Sequence, residues 1–228
     1  MDAVFLSQTA LFTGNSPKEI ESTLSCIGCQ EKHYEKGSMI CSAGSSMDAL
    51  GMVLTGQISI EHYDFWGNRT VMAAIGQGQI FGETYACMPQ EPLMVDVVAR
   101  TEVQVLWLKV HRILHICDHG CPVHSQLIER LMMILARNNL NLSYKISHTT
   151  PKSIRGRLLS YLSHQATQYG GNQFSIPFDR QQLADYLHVD RSALSNELSK
   201  MQREGLLDYH KNQFILHRKM TEHFSGII

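Results

Sequence analysis

The stretch Phe178-Asp179-Arg180-Gln181-Gln182-Leu183-Ala184-Asp185-Tyr186-Leu187-His188-Val189-Asp190-Arg191-Ser192-Ala193-Leu194-Ser195-Asn196-Glu197-Leu198 decides how this chain reads. Asp179 suits the N-cap of a first helix, because its carboxylate can accept an unpaired backbone N–H of the first turn. Leu183, Ala184 and Leu187 share one face of that helix, and Ala184 is small where a second helix must cross. His188-Val189-Asp190 makes a three-residue turn, and Asp190 can cap the next helix. That helix places Leu194, Leu198 and Met201 inward at i, i+4, i+7. Its outer face shows Arg191, Ser192, Ser195, Asn196 and Ser199, side chains that are short or carry planar donors. Base edges in a major groove about 12 Å wide call for this kind of face. Gly205 fits the C′ position that ends the helix. Leu206 to Leu216 then reads as a two-stranded wing turning near Lys211-Asn212. Two ordinary packed helices would also show a polar outer face. The turn length, the small residue at the crossing, the two caps and the trailing hairpin together favour DNA binding.

Upstream, Tyr169-Gly170-Gly171-Asn172 turns the chain, and a helix with Leu158, Leu159 and Leu162 facing inward is expected over 154–166. Thr149-Thr150-Pro151 breaks the chain before it and is expected to act as a hinge. From His124 to about Ser147 there is no glycine or proline. Ile128, Leu131, Leu135, Asn138, Leu142 and Lys145 follow alternating steps of three and four, a coiled-coil seam with a polar residue near its middle. Leu127, Met133 and Ile134 widen the apolar face, so a second surface is covered too. The simpler alternative is a helix packed only within its own chain. The two apolar faces favour a dimer.

Between Tyr34 and Leu108, glycines punctuate short runs rich in β-formers, among them Met52-Val53-Leu54, 57–61 and 103–108. Such spacing predicts an all-β sandwich or barrel. Gly67-Asn68 is expected at a hairpin tip.

The formal net charge is −1. Residues 1–150 hold 10 Lys and Arg against 14 Asp and Glu, while 151–228 hold 10 against 7. An acidic front and a mildly basic rear suggest parts with different partners, and the weak positive field permits nucleic acid without demanding it. The amino terminus lacks the basic start and apolar run of a signal peptide, and no stretch approaches the ~20 apolar residues of a membrane span. A cytoplasmic location with reduced thiols at the six cysteines follows as the expectation.

Arg180 to Leu187, Val189 to Ser195 and Gln202-Arg203-Glu204-Gly205-Leu206 together resemble the Crp/Fnr family of bacterial transcription regulators. Tyr34-Glu35-Lys36-Gly37, Gly51 to Gly56 and Gly78-Gln79-Ile80-Phe81-Gly82-Glu83 resemble that family's cyclic-nucleotide-binding-type β-roll. The resemblance implies an α+β multidomain fold. Its parts are an N-terminal double-stranded β-helix (jelly roll) over 1–123, a dimerisation helix and hinge over 124–150, and a winged helix-turn-helix over 151–228. It places Arg191, Ser192, Ser195 and Asn196 at base-reading positions, and Asp179, Arg180, Gln181 and Lys200 near the phosphate backbone. The implied partners are double-stranded DNA, a second copy of the chain, RNA polymerase and a small-molecule effector, with no membrane. His188 stands where the family's turn usually has glycine, and His tolerates positive φ better than most residues.

Cyclic-AMP-binding members hold the cyclic phosphate with an Arg-Ser pair after the Gly-Glu. Counting from Gly82-Glu83 without gaps, Leu93 and Met94 fall there, and neither can neutralise a phosphate whose unpaired burial would cost several kcal/mol. Cyclic AMP is therefore not expected. A small apolar or aromatic effector near Gly82, Glu83, Met88, Leu93 and Met94 is the favoured reading. Redox, metal or iron–sulfur sensing by Cys87, Cys117, Cys121 and His124 is the second, although buried structural cysteine is commoner. Regulation by abundance alone is the third. Cys26-x-x-Cys29 lacks a βαβ context for redox chemistry, and His111, His115 and His119 recur at helical spacing without a placed Glu. A cupin-like barrel enzyme is the alternative from another class. The barrel region holds only His33 and His62, no His-x-His pair, and no Gly-x-Ser-x-Gly. Catalysis is not expected.

Overall fold

The computed structural model describes residues 2–114 and 122–217. Two short helices open the chain, α1 (Ala3–Ser7) and α2 (Pro17–Ile27). Ser16 and Glu19 form a reciprocal capping box at the start of α2, with Pro17 in its first turn. Strands β1 (Cys29–Tyr34), β2 (Met39–Cys41), β3 (Ala49–Thr55), β4 (Ile58–Tyr63), β5 (Arg69–Ile75) and β6 (Ile80–Phe81) follow. Then come α3 (Glu83–Cys87), β7 (Asp96–Ala99), β8 (Val103–Lys109) and α4 (Val110–Leu114).

These strands pair antiparallel in two four-stranded sheets, ordered β1-β8-β3-β6 and β2-β7-β4-β5. Val53, Phe81, Val103 and Val105 of the first sheet meet Ile58, Val97 and Ala99 of the second in one apolar layer. Side chains alternate across a strand, so Leu50, Met52, Leu54, Leu106 and Leu108 face the other way. That face is covered by α1, α2, α4 and the start of the long helix, with Leu6, Ile20, Ile113 and Leu127 fully buried. The expected jelly roll is therefore present. Gly51 has a packing reason, since a Cβ there would run into the Phe81 ring. The hairpin between β4 and β5 turns over 64–68, where Asp64 accepts the backbone N–H groups of Trp66 and Asn68.

The long helix α5 (Pro122–Thr149) leads to α6 (Ile154–Tyr169), β9 (Gln173–Ser175), α7 (Arg180–Leu187), α8 (Arg191–Arg203), β10 (Leu207–His210) and β11 (Gln213–Leu216). The break falls after Thr149 as expected, and α6 runs three residues past Ala166 until Gly170 ends it in the left-handed region. A second core joins Leu158, Leu162, Leu183, Ala184, Leu187, Leu194, Leu198, Met201 and Phe214. The wing has a third strand that the turn-rich 170–175 segment concealed: β9 pairs with β11, giving the order β10-β11-β9.

Contacts divide the chain into two units, 1–137 and 138–228. The segment expected to act as a hinge lies wholly inside the second. Arg157 donates to Pro151 O at 2.9 Å, Ser160 to Ser147 O at 3.3 Å, and His148 shares a hydrogen bond with Tyr186 at 2.9 Å. Residues 149–151 change the helix direction and are tied down on both sides. Among the described residues no helix is long and apolar enough to cross a membrane.

Candidate nucleic-acid interface

Local rules build the helix pair. Asp179 accepts the backbone N–H of Gln182 while the Gln182 side chain accepts that of Asp179, a complete capping box for α7. Asp190 accepts from the N–H groups of Ser192 and Ala193 and caps α8. Between them His188 adopts φ 52°, the left-handed value suggested by its place in the turn. Leu194, Leu198 and Met201 are fully buried, so the opposite face of α8 looks outward. Glu204 ends the helix and Gly205 follows at φ +72°.

On that outward face Arg191, Ser192, Asn196, Ser199 and Lys200 are exposed, while Ser195 is half-buried. No hydrogen bond or ion pair holds the Arg191 or Asn196 side chain among the described residues. Ser195 donates its hydroxyl to Arg191 O, Ser199 donates to Ser195 O, and Ser192 donates to Asp190. The serines thus keep lone pairs to offer, while Arg191 and Asn196 keep their donors.

The residues assigned to the phosphate backbone divide. Arg180 stacks over the Tyr209 ring at 5.0 Å and donates to Lys211 O at 3.3 Å. Burial, and then the neighbouring Arg191, lower its pKa from the ordinary guanidinium value, which places two cations side by side. Gln181 is exposed and donates to Asp185 at 2.8 Å, and Lys200 is exposed on α8. Asp179 has no donor for a phosphate and its carboxylate is engaged in the cap, so its role is corrected to presenting the first turn of α7.

Two arginines that the sequence reading passed over hold this surface in place. Arg155 on α6 donates to Glu197 at 2.6 Å and, through both terminal nitrogens, to Glu204 at 2.8 and 2.9 Å. It ties α6 to the middle and the C-terminal end of α8. Arg157 donates to Leu187 O and His188 O at 2.9 Å each, closing the C-terminal end of α7.

The five residues proposed as an apolar effector site differ in their surroundings. Gly82 caps α3 in the left-handed region at φ 72°, and a Cβ there would strike the Met47 sulfur. Leu93 is buried in the core beneath the first sheet, whereas Met88 and Met94 are exposed, Met94 by 71%. Glu83 stands half-buried in the first turn of α3. Of the thiol and metal residues, Cys117 and Cys121 lie outside the described residues. Cys87 packs against the core, and burial, with Glu83 nearby, raises its pKa and favours the protonated thiol. His124 is buried in the first turn of α5 with Nδ1 unpartnered. Among the described residues no three His, Cys, Asp or Glu side chains are placed to hold a metal ion.

The seam residues on α5 also divide. Leu131, 1% exposed, is part of the core under the first sheet and is not available to a partner, which corrects its assignment. Ile128 and Leu135 are half-buried, and Asn138 and Leu142 are exposed.

Two family models match the chain: the cyclic nucleotide-binding domain over residues 31–119 and the Crp-like helix-turn-helix domain over 156–220. The CRP-like cAMP-activated global transcriptional regulator of Mycobacterium tuberculosis is 21% identical over 206 residues, covering 90% of each protein. The cAMP-activated global transcriptional regulator CRP of Haemophilus influenzae is 20% identical, covering 83% of this chain and 84% of that one. Among solved structures, the Thermus thermophilus catabolite activator protein superposes with TM-score 0.50 at 21% identity, covering 96% of this chain and 100% of that one. The c-di-GMP responsive regulator CLP of Xanthomonas campestris gives TM-score 0.52 at 18% identity, covering 89% and 99%. These likenesses show the same fold. Because each family model falls on the part of the fold it describes, roll first and helix-turn-helix second, this chain belongs to the Crp/Fnr family and is a DNA-binding transcription regulator, not an enzyme.

Proposed function

We propose that the chain acts as a homodimer that reads a palindromic operator with α8 and answers to a signal other than cyclic AMP. Residues 1–123 carry the sensor, 124–150 the pairing helix and 151–228 the DNA-binding part. RNA polymerase is the partner on which the bound regulator acts. The observation that carries the reading is the division of α8, with Leu194, Leu198 and Met201 fully buried and Arg191, Ser192, Asn196 and Lys200 exposed. A polar, donor-bearing helix face fixed by a sealed apolar one suits direct readout in a major groove.

Pairing is supported by the exposed stripe on α5. Ile128, Met132, Leu135, Asn139, Leu142 and Ile146 recur at steps of four and three, with Met132, Leu142 and Ile146 exposed by 65%, 63% and 64%. A paired stalk would set two copies of α8 about 34 Å apart, one helical turn of duplex. A signal that changes how the stalks pair would change that spacing and hence occupancy. Relatives in M. tuberculosis and H. influenzae are named for activation by cyclic AMP. Here Leu93 and Met94 occupy the places of the phosphate clamp, one buried in the core and the other pointing to solvent. Isothermal calorimetry with cyclic AMP should show no binding at micromolar concentrations, and a micromolar isotherm would overturn that part of the reading.

Selection from random duplex DNA should enrich a palindrome whose half-sites lie about 10 base pairs apart, centre to centre. Asn196→Ala should weaken binding to the selected site by about 1–3 kcal/mol and relax preference at one position per half-site. Equal losses on selected and random duplex would refute base reading.

A further inference from the structure

Residues directly opposite each other on paired strands share a face, as do residues two apart on one strand. On β8 the side that meets the second sheet reads Val103, Val105, Trp107, Lys109, and across from the first three on β1 stand Tyr34, Lys32 and Gln30. Val103 and Val105 are fully buried in the layer between the sheets. Within one or two positions along each strand that inner face turns from apolar to cationic. Lys32 and Lys109 are exposed at the open end of that face.

A cavity of about 460 Å³ opens there, within the size range of small-molecule sites. Trp107 and Tyr34 wall it on the first sheet, and Ile40 and Cys41 on the second. The aromatic wall is fixed in advance: the Trp107 indole N–H donates to the Tyr34 hydroxyl at 3.2 Å, and Phe81 meets Trp107 edge-on at 5.4 Å. Three cations, Lys32, Lys109 and Arg112, edge the same cavity, against one carboxylate, Asp48. No ion pair joins any of the three to a carboxylate among the described residues. Three unpaired cations beside a preformed aromatic wall lack a counter-charge that also has a flat body.

We propose that this cavity binds a small organic anion. Its carboxylate or sulfonate meets Lys32, Lys109 and Arg112, and its flat apolar body lies against Trp107 and Tyr34. None of Gly82, Glu83, Met88, Leu93 and Met94 lines the cavity, although Met47, which does, abuts Gly82, so the site adjoins the place where a cyclic nucleotide would sit without sharing those residues. The proposal concerns binding alone and stands whether or not DNA affinity responds.

The chain has two tryptophans, Trp66 and Trp107. The full-length Trp66→Phe protein therefore reports on the cavity through Trp107 only. Titration with 8-anilinonaphthalene-1-sulfonate, a flat aromatic sulfonate, should quench Trp107 saturably with one equivalent per chain. Adding Lys32→Gln and Lys109→Gln should raise the Kd by about tenfold or more. Both lysines are exposed, so the thermal melt should not move. N-phenyl-1-naphthylamine, the same rings without the sulfonate, should bind about tenfold more weakly. Dye fluorescence without Trp107 quenching, an unchanged Kd in the double variant, or equal binding of the uncharged dye would each overturn the proposal. Displacement by equimolar sulfate would do the same, because it would mark a bare anion patch rather than a site for an organic body.

Discussion

His188 sits at φ 52° between two helices, and its carbonyl and that of Leu187 both accept from Arg157. The left-handed region costs most non-glycine residues about 1–2 kcal/mol, and a β-branched residue suffers more than His. His188→Val should therefore destabilise the 138–228 unit by about 1–2 kcal/mol, while His188→Gly should be neutral or slightly stabilising. Equal melting points for the two variants would show that the turn is not held in this conformation. Arg157→Ala should cost about 1–3 kcal/mol, because carbonyls at a helix end lose a charged donor. Arg157→Lys should restore less than half of that, since an ammonium lacks the fork that reaches three carbonyls. Urea unfolding followed by circular dichroism reads all four. The caps at Asp179 and Asp190 and the left-handed turn were legible in the sequence because each acts within three residues. Arg155 and Arg157 were not, because apart from Pro151 their partners lie 30 to 49 residues away and only the folded chain brings them together.

At the scale of the element, α5 shows why a correct period can still misassign a residue such as Leu131. A helix with two apolar stripes fits two heptad frames, and the frame through Leu131, Asn138 and Lys145 differs by one residue at alternate positions from the one through Met132, Asn139 and Ile146. Which stripe faces outward depends on what covers the other, here the core with Leu127 and Leu131. Ile128, Leu135 and Leu142 are common to both frames. Leu142→Asp should dissociate the dimer while leaving the fold intact, seen as a halved mass in sedimentation equilibrium. Leu131→Ala should leave the mass unchanged but cost the 1–137 unit about 2–5 kcal/mol. A dimeric Leu142→Asp protein would place the seam elsewhere. The same dependence on the fold applies to the cavity: Lys32 and Lys109 are exposed surface lysines, and the pairing of β1 with β8 brings them to one cavity beside Trp107 and Tyr34.

For the molecule as a whole, the two units have separate cores, and the second contains a histidine cluster around the buried His148. His148 near the end of α5 lies 5.1 Å from the His164 ring and 5.4 Å from the Tyr161 ring, and bonds the Tyr186 hydroxyl. Tyr144 stacks beside both histidines. The groups around His148 are thus three tyrosines and a second histidine, and among the described residues no carboxylate pairs with it to favour an imidazolium. Burial, and then His164, lower its pKa below the ordinary value of 6.5. The fold therefore holds His148 neutral, while the unfolded chain gains a proton as pH falls through 6.5. The resulting stabilisation is complete above that value and is lost progressively below it, until the folded-state pKa is reached. Both tryptophans lie in the 1–137 unit, so they do not report on this change. Between pH 7 and 5, hydrogen-exchange protection, taken relative to the base-catalysed intrinsic rate, should fall in α6 and α7 while tryptophan emission stays constant. His148→Gln should flatten the pH dependence of that protection, whatever it costs in stability at pH 7. Protection that stays flat with pH in the unaltered protein, or tryptophan emission that shifts in step with it, would place the acid-sensitive element outside this cluster.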